Sequence, residues 1–412
     1  MTNTPSDFSR RRLAIFAFML MFGIGMSSWV VRTPAVRDLL AASTAEMGLV
    51  LVGLSIGSMT GVLSSAAVVR RQGVRFTATV GGSSFIAGIA MLGICAGMSN
   101  FPGVFAGLAL VGFGIGVSEI AINIEGAALE TLSGKSVMPA LHGCFSLGTV
   151  IGAVVGILLT SINFSVTWQL VLVALFGAVV LATLTRFISA ETGRVPRVAR
   201  GENTENTEKT QQPRTSWLDA WREPRILMLG LIILALALAE GSAMDWLPLL
   251  MVDGHGLTPT LGSVVFAGFA AAMTLGRFLG APLLKRFGNA TVLRASTLVS
   301  AVGIALVIFS DNPIVAGAAV LLWGVGAALG FPVTLSAAAD SDDPTSSVAA
   351  VATAGYVAFL VGPPLLGFLG EEFGLRGAMI LVLVVVTLAS LLTNAAKSQP
   401  RKGATELESA AL

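Results

Sequence analysis

Long apolar segments alternate with short polar segments along this chain. Twelve apolar segments can be delimited, six before and six after a polar stretch at 190–224. They cover residues 12–32, 45–69, 76–98, 102–128, 137–162 and 167–189, then 225–250, 259–283, 292–310, 313–338, 347–370 and 377–396. Because a membrane helix needs about 20 predominantly apolar residues, this pattern predicts an all-α membrane protein with twelve transmembrane helices.

The polar stretch divides the chain into two halves. It is rich in charged and small polar residues and poor in hydrophobic ones, a composition typical of a linker rather than of a packed domain. We therefore expect one six-helix bundle over residues 1–189, a cytoplasmic linker over 190–224, and a second six-helix bundle with a short cytoplasmic tail over 225–412.

The two halves repeat each other in sequence. The second and eighth segments run into similar basic loops, Arg70–Arg75 and Lys285–Gly288, and an offset of 215 residues also aligns Gly61 with Gly276. The fourth and tenth segments share a Gly-x-Gly motif, at Gly112 and at Gly324. Repeats of this kind are typical of secondary transporters, whose substrate site lies between the repeats near the middle of the membrane.

Composition and charge placement support a membrane location. The chain is 54% hydrophobic and 12% charged, whereas soluble domains are about 45–50% apolar and 25% charged. If the N-terminus is cytoplasmic, most Lys and Arg residues fall in cytoplasmic segments, and Arg32, Arg37 and Arg376 fall on the other side. Because cytoplasmic loops carry the excess of basic residues, both termini are predicted to be cytoplasmic.

The polar residues of the fourth segment are the first candidates for a site. Glu119 and Asn123 are four residues apart and therefore share one face of a helix. A charge near the bilayer centre costs about 2.5–3.5 kcal/mol, so this face is predicted to point into the bundle or a wet cavity. Glu125 lies about 120° away around the helix, and we expect it to pair with Lys135 or with a loop arginine.

Further candidates lie on the fifth and seventh segments. His142 and Ser146 share a helical face; His142 is either a proton relay or a histidine packed in the core. Glu240, near the middle of the seventh segment, is the next candidate after Glu119. Asp245 lies nearer the outer end, either at the mouth of the cavity or as a partner of Arg32.

Aromatic and basic residues complete the candidate set. Trp29 and Tyr356 are predicted to face the cavity, although Trp29 also fits an aromatic anchor at the membrane interface. Arg277 lies about 12 Å inside the membrane from Lys285, which favours gating or packing over substrate binding. The predicted gating residues are Arg71, Arg75, Arg277, Arg286 and Glu125.

Twelve segments in a six-plus-six arrangement, with basic loops after the second and eighth, resemble the major facilitator superfamily along nearly the whole chain. The usual loop signature is degenerate here, because Arg70 and Lys285 stand where an Asp is expected. Within the superfamily, residues 114–123 are most similar to the fucose permease group, particularly its rhizopine-type branch. The supporting matches are His142 with Phe145–Gly148, Glu240-Gly241 and Asp245-Trp246.

The resemblance implies that Glu119 is a protonatable carboxylate facing the substrate and that Asn123 is its polar neighbour. The permeases carry an acid on the first helix, four residues before a proline, where this chain has Val30. Proton coupling would therefore use Glu119 with another group, such as Glu240 across the interface.

Together these patterns predict a secondary active transporter, not an enzyme, in the inner membrane of a bacterium. A monomer is expected to move a small polar solute, sugar-like or cyclitol-like, together with protons. The chain has no nucleotide-binding motif of the GxxxxGK[ST] type, and no cofactor, metal or nucleic acid is expected. The alternatives are an efflux antiporter for metabolites or drugs, and a membrane sensor that does not transport.

Overall fold

The computed structural model of the protein describes residues 5–133, 137–194, 220–341 and 343–397. Every regular element in these ranges is a helix. Ten helical stretches in these ranges are long and apolar enough to cross a membrane, and one of them, at 313–339, consists of two shorter helices. The linker predicted at 190–224 lies mostly outside the described residues, as does Lys135.

The first half contains six α-helices and one 3₁₀ turn. They are α1 (Pro5–Val30), α2 (Thr33–Leu40), α3 (Thr44–Gly97), α4 (Phe101–Ser133), α5 (Met138–Ser161) and α6 (Val166–Leu184), followed by the 3₁₀ turn Thr185–Phe187. The start of α3 is fixed by a capping box, because Ser43 and Glu46 each bond the other's backbone N–H.

The second half has the same number of elements. They are α7 (Pro224–His255), α8 (Pro259–Phe287), α9 (Asn289–Phe309), α10 (Pro313–Ala327), α11 (Gly330–Ala339) and α12 (Pro344–Leu392), followed by the 3₁₀ turn Thr393–Ala396. Four of these helices carry proline in their first turn, where the missing N–H costs no hydrogen bond.

Two helices are far longer than one membrane crossing. α3 has 54 residues and α12 has 49, so each would extend about 75–80 Å if straight, against a hydrocarbon core of about 30 Å. Each is broken by a glycine in a positive-φ conformation, Gly73 with φ 82° and Gly374 with φ 71°. Gly288, 215 residues after Gly73, separates α8 from α9 with φ 75°. The corresponding loops of the two halves therefore use the same backbone turn.

The packing of the two halves repeats as well. A Cβ added to Gly112 would lie 2.1 Å from the carbonyl oxygen of Leu54, and one added to Gly324 would lie 2.7 Å from that of Phe269. Leu54 and Phe269 are also 215 residues apart. The second glycine of each Gly-x-Gly motif packs in the same way against α3 and α9. The sequence repeat is therefore a repeat of close helix contacts that a side chain would prevent.

An arginine ties together one end of each half. Arg11 Nε donates to Glu125 Oε1 at 2.8 Å, and Glu125 is fully buried. In the second half, Arg225 Nε donates to the carbonyl of Ala395 and its Nη2 to that of Ala337, each at 3.0 Å. We call this end, where α1 and α7 begin, the terminal side, and the opposite end the far side.

The halves contact each other on the far side. Arg37 on α2 forms an ion pair with Asp253 near the end of α7. Ser263 Oγ on α8 donates to the carbonyl of Val31 at 3.1 Å. In addition, α3 packs against α12 and α5 packs against α8. These contacts hold the two bundles together at the far side.

Candidate functional site

A cavity of about 960 Å³ lies between the two halves. Its walls come from α1, α3, α4 and α5 in the first half and from α7, α8, α11, α12 and the start of α9 in the second. Methionine and phenylalanine side chains make up much of the surface, and a small number of charged and hydroxyl groups face into it. This is the usual composition of a site for a small molecule.

The cavity is closed toward the far side. Ser55 Oγ on α3 donates to the carbonyl of Phe359 on α12 at 2.7 Å, and both residues line the cavity. Seven residues nearer the start of α3, a Cβ on Gly48 would lie 3.0 Å from the Cα of Gly367. Because a helix rises 1.5 Å per residue, about 10 Å of closely packed α3 and α12 separates the cavity from the far side.

The cavity extends toward the terminal side. Its lining there includes Leu284 near the end of α8, Asn289 at the start of α9 and Ser336 near the end of α11. In the first half, His142 lies in the first turns of α5 on the same side. The structure is thus closed on the far side and open on the terminal side.

Three carboxylates and one guanidinium line the cavity. Glu119 comes from α4 of the first half, whereas Glu240 and Asp245 come from α7 of the second. Arg277 Nη2 on α8 lies 2.9 Å from Glu240 Oε1. The ion pairs of the described residues include Glu240 but neither Glu119 nor Asp245.

The sequence leaves two interpretations of Asp245 open, and the structure gives its position relative to the cavity and to Arg32. Asp245 lines the cavity, whereas Arg32 donates through Nε to Gln169 Oε1 at 2.5 Å. Arg32 lies just beyond the end of α1 and is 3% exposed. Desolvation by burial lowers the pKa of Arg32 from its ordinary value.

Several other predicted residues also lie on the cavity wall. His142 and Ser146 of α5 and Tyr356 of α12 are all among the lining residues. Tyr356 interacts electrostatically with Glu119, and His142 interacts electrostatically with Arg277. Residues predicted from different halves therefore face each other across the cavity.

Trp29 and Asn123 are not among the residues that line the cavity. For Trp29 the prediction is corrected, because its side chain is 1% exposed and packed in the core. It lies about 4.5 Å beyond Met26 along α1, at the level where the halves are packed together. Asn123 is half-buried, one turn from Glu119 toward the terminal side, and its Oδ1 is buried without a hydrogen-bond partner.

The contacts of the predicted gating residues stay within one half. Arg75 Nε donates to the carbonyl of Ile188 at 2.7 Å, Arg286 stacks on Phe287, and Arg71 is exposed. Arg277 pairs with Glu240, and Glu125 pairs with Arg11. Because the terminal side is open, these residues do not close a gate in this conformation.

The sequence did not reveal the contacts that close the far side. Arg37 and Asp253 are 216 residues apart, and no local pattern marks them as partners. Gly48 and Gly367 are two of 47 glycines, and their close approach depends on how the bundles pack. Only the basic character of Arg37 on the far side was visible in the sequence.

Comparison with known proteins identifies relatives over most of the chain. The model of the Major Facilitator Superfamily matches residues 136–353 and 247–411, which together cover more than half of the 412 residues. An uncharacterized MFS-type transporter of Yersinia pestis is 28% identical over 92% of this chain and 93% of its own length. The membrane protein MosC of Rhizobium meliloti is 24% identical over 92% of this chain and 90% of its own length.

Solved structures share the fold at low sequence identity. A mutant form of the nucleoside transporter NupG superposes with a TM-score of 0.74 at 12% identity, covering 93% of this chain and 99% of that one. A bacterial homolog of the human lysosomal transporter Spinster, in an inward-facing and unoccupied conformation, gives a TM-score of 0.71 at 15% identity, covering 97% and 100%. The repeated halves, the cavity between them and the match to the family model agree, and the chain belongs to the Major Facilitator Superfamily of transporters.

Proposed function

We propose that this protein is a proton-coupled secondary active transporter of a small polar organic solute, sugar-like or cyclitol-like. The observation that carries the proposal is the cavity between the repeated halves, closed on one side and lined by Glu119, which forms no ion pair with any residue that the structure describes. Rocking of the halves around such a site would expose it to each side of the membrane in turn.

The proposed topology has twelve spans with both termini in the cytoplasm of a bacterial inner membrane. It counts α3 and α12 as two spans each, divided at Gly73 and Gly374, and α10 with α11 as one span, which turns the ten long helical stretches into twelve spans. The terminal side is then cytoplasmic, in agreement with the distribution of Lys and Arg. On this orientation the structure is inward-facing, and the protein is expected to act as a monomer.

The lining residues suit a solute with several hydroxyl groups. Ser58, Ser146, Thr274, Asn289 and Ser336 offer donors and acceptors, and Tyr356 and Phe359 offer aromatic faces for the apolar side of a ring. For proton coupling, we assign Glu119 as the carrier. Movement of one charge through 100 mV supplies about 2.3 kcal/mol to drive accumulation.

The test begins with purified protein in a thermal-stability screen of sugars, cyclitols, amino acids and aromatic acids, because a ligand of the folded state raises its apparent stability. Uptake of the stabilising solute is then measured in proteoliposomes with and without a proton gradient. Glu119→Gln is expected to abolish the dependence on the gradient. Glu372→Gln, at an exposed carboxylate outside the cavity, is the control and is expected to retain it. Gradient-driven uptake by Glu119→Gln at the normal rate would refute the coupling assignment.

Two other functions give different results in the same experiments. If the protein is an efflux antiporter, cells that lack it should accumulate the solute or become sensitive to it. A sensor would bind a solute without moving it. Any solute-dependent flux through the purified protein would eliminate the sensor.

A further inference from the structure

The charges on the cavity wall do not balance. Among the lining residues that the structure describes, Arg277 is the one guanidinium, and its charge is offset by Glu240 at 2.9 Å. Glu119 and Asp245 remain, and no ion pair of the described residues involves either of them. With both carboxylates ionised and His142 neutral, the wall carries two uncompensated negative charges.

Such an imbalance attracts cations. A cleft with low-dielectric walls and charge of one sign focuses the electric field and raises the local concentration of counter-ions. The carboxylates would repel an anionic solute. The guanidinium of Arg277, which could otherwise bind an anion, is already paired with Glu240.

The two carboxylates belong to different halves of the molecule. Glu119 is on α4 in the first half and Asp245 is on α7 in the second. The aromatic rings of Tyr356, Phe359 and Phe145 also line the cavity, and aromatic faces attract ammonium groups. A cation between the halves would therefore be attracted by groups of both.

We propose that the transported solute carries a positive charge, as a protonated amine on a small polar frame, and that Glu119 and Asp245 attract it. The proposal rests on the proposed function, since it names the chemical class of solute for the same cavity. One carboxylate would hold the ammonium group and the other would remain available for a proton. A neutral sugar would leave both carboxylates without a partner.

The first experiment measures the charge of the cavity without knowledge of the solute. In a background in which Cys95 and Cys144 are replaced by serine, Ser336→Cys places a thiol on the cavity wall, and Asn100→Cys places one on the exposed loop between α3 and α4, where no charged residue is near in sequence, as a control. The rates of modification by the cationic 2-(trimethylammonium)ethyl and the anionic 2-sulfonatoethyl methanethiosulfonates are compared. Relative to Asn100→Cys, the cavity thiol should prefer the cationic reagent by at least about tenfold.

The carboxylates are then tested as the source of this preference. Adding Glu119→Gln and Asp245→Asn should bring the ratio of rates close to that of the loop control. A ratio no higher than the control in the unmodified cavity, or one unchanged by the two substitutions, would overturn the proposal.

The second experiment compares solutes that differ in charge. Uptake and thermal stabilisation are measured with D-glucosamine, with its uncharged counterpart N-acetyl-D-glucosamine, and with D-glucose, and the amine should be favoured at least about tenfold. Preference for one of the two uncharged sugars would overturn the proposal that the solute is cationic, but not the proposal that the protein is a transporter. Absence of flux with every solute class in the screen would instead count against the proposed function, and the cysteine ratio alone would then decide the charge of the cavity.

Discussion

Arg277 on α8 and Glu240 on α7 form a 2.9 Å ion pair on the wall of the cavity. The two residues are 37 positions apart in sequence, and the pair joins consecutive helices of the second half. It holds the guanidinium inside the cavity, although the long side chain could have extended toward the terminal side. Because the pair carries no net charge, it adds none to the part of the cavity wall that the second half contributes.

Removal of one partner of this pair should be worse than removal of both. Arg277→Gln leaves Glu240 without its cation beside two other carboxylates, and because the Arg277 side chain is 43% exposed, we expect a loss of about 1 kcal/mol. The double variant with Glu240→Gln should regain part of this loss. Apparent unfolding temperatures in detergent measure the coupling, and equal stability of the single variant and the wild type would contradict it.

Closure of the far side should depend on Gly48. A Cβ there would lie 3.0 Å from the Cα of Gly367 and 3.1 Å from the carbonyl oxygen of Pro363, so Gly48→Leu cannot fit between α3 and α12 while the far side is closed. We expect slower transport and a population shifted toward the far-side-open state. The measurement is labelling of a cysteine placed at Ser55, which is inaccessible from the far side in the closed state.

Gly317→Leu is the matched control for Gly48→Leu. A Cβ at Gly317 meets one side-chain atom, Val265 Cγ2 at 3.3 Å, which can move aside. This variant should keep normal transport and normal labelling at position 55. If both variants behave alike, close packing at Gly48 is not part of the gate.

The pair of half-buried Arg11 and buried Glu125 should matter for stability rather than for transport chemistry. Arg11→Met leaves a fully buried carboxylate with one backbone bond, from the N–H of Ser189 at 3.3 Å, and we expect a loss of about 3 kcal/mol. Adding Glu125→Gln should recover much of it, because no charge remains buried. Thermal unfolding of the two variants is the measurement. If the pair were instead a gate, its removal would alter transport, and the second substitution would not restore stability.

Substitution of the glycines that break α3 and α12 separates two causes of lost stability, backbone strain and a steric clash of the added Cβ. Gly374→Ala adds a side chain at φ 71° and ψ 158° where no atom lies within 4 Å, and this backbone conformation, which essentially only glycine adopts, costs about 1–3 kcal/mol by itself. Gly73→Ala adds the same strain at φ 82° and places a Cβ 2.0 Å from the carbonyl oxygen of Ala190. Gly73→Ala should therefore destabilise the protein clearly more than Gly374→Ala, and equal unfolding temperatures would contradict this.

The sequence by itself determined the helical membrane class, the division into repeated halves and the candidates Glu119, Glu240, His142, Ser146 and Tyr356 on the cavity wall. These follow from local chemistry. Apolar length sets the number of possible spans, and an ionisable residue inside such a span must avoid lipid. Helical spacing also places Ser146 on the same face as His142.

Only the tertiary structure decided which residues meet between the halves. Arg37 and Asp253 are 216 residues apart, and the partners of Glu240 and Glu125 were likewise open until α8 and α1 had been placed. Trp29 shows the same limit, because its exposure depends on which side of the cavity is closed. Contacts between separately folded bundles depend on their relative position, and periodicity within one helix does not specify that position.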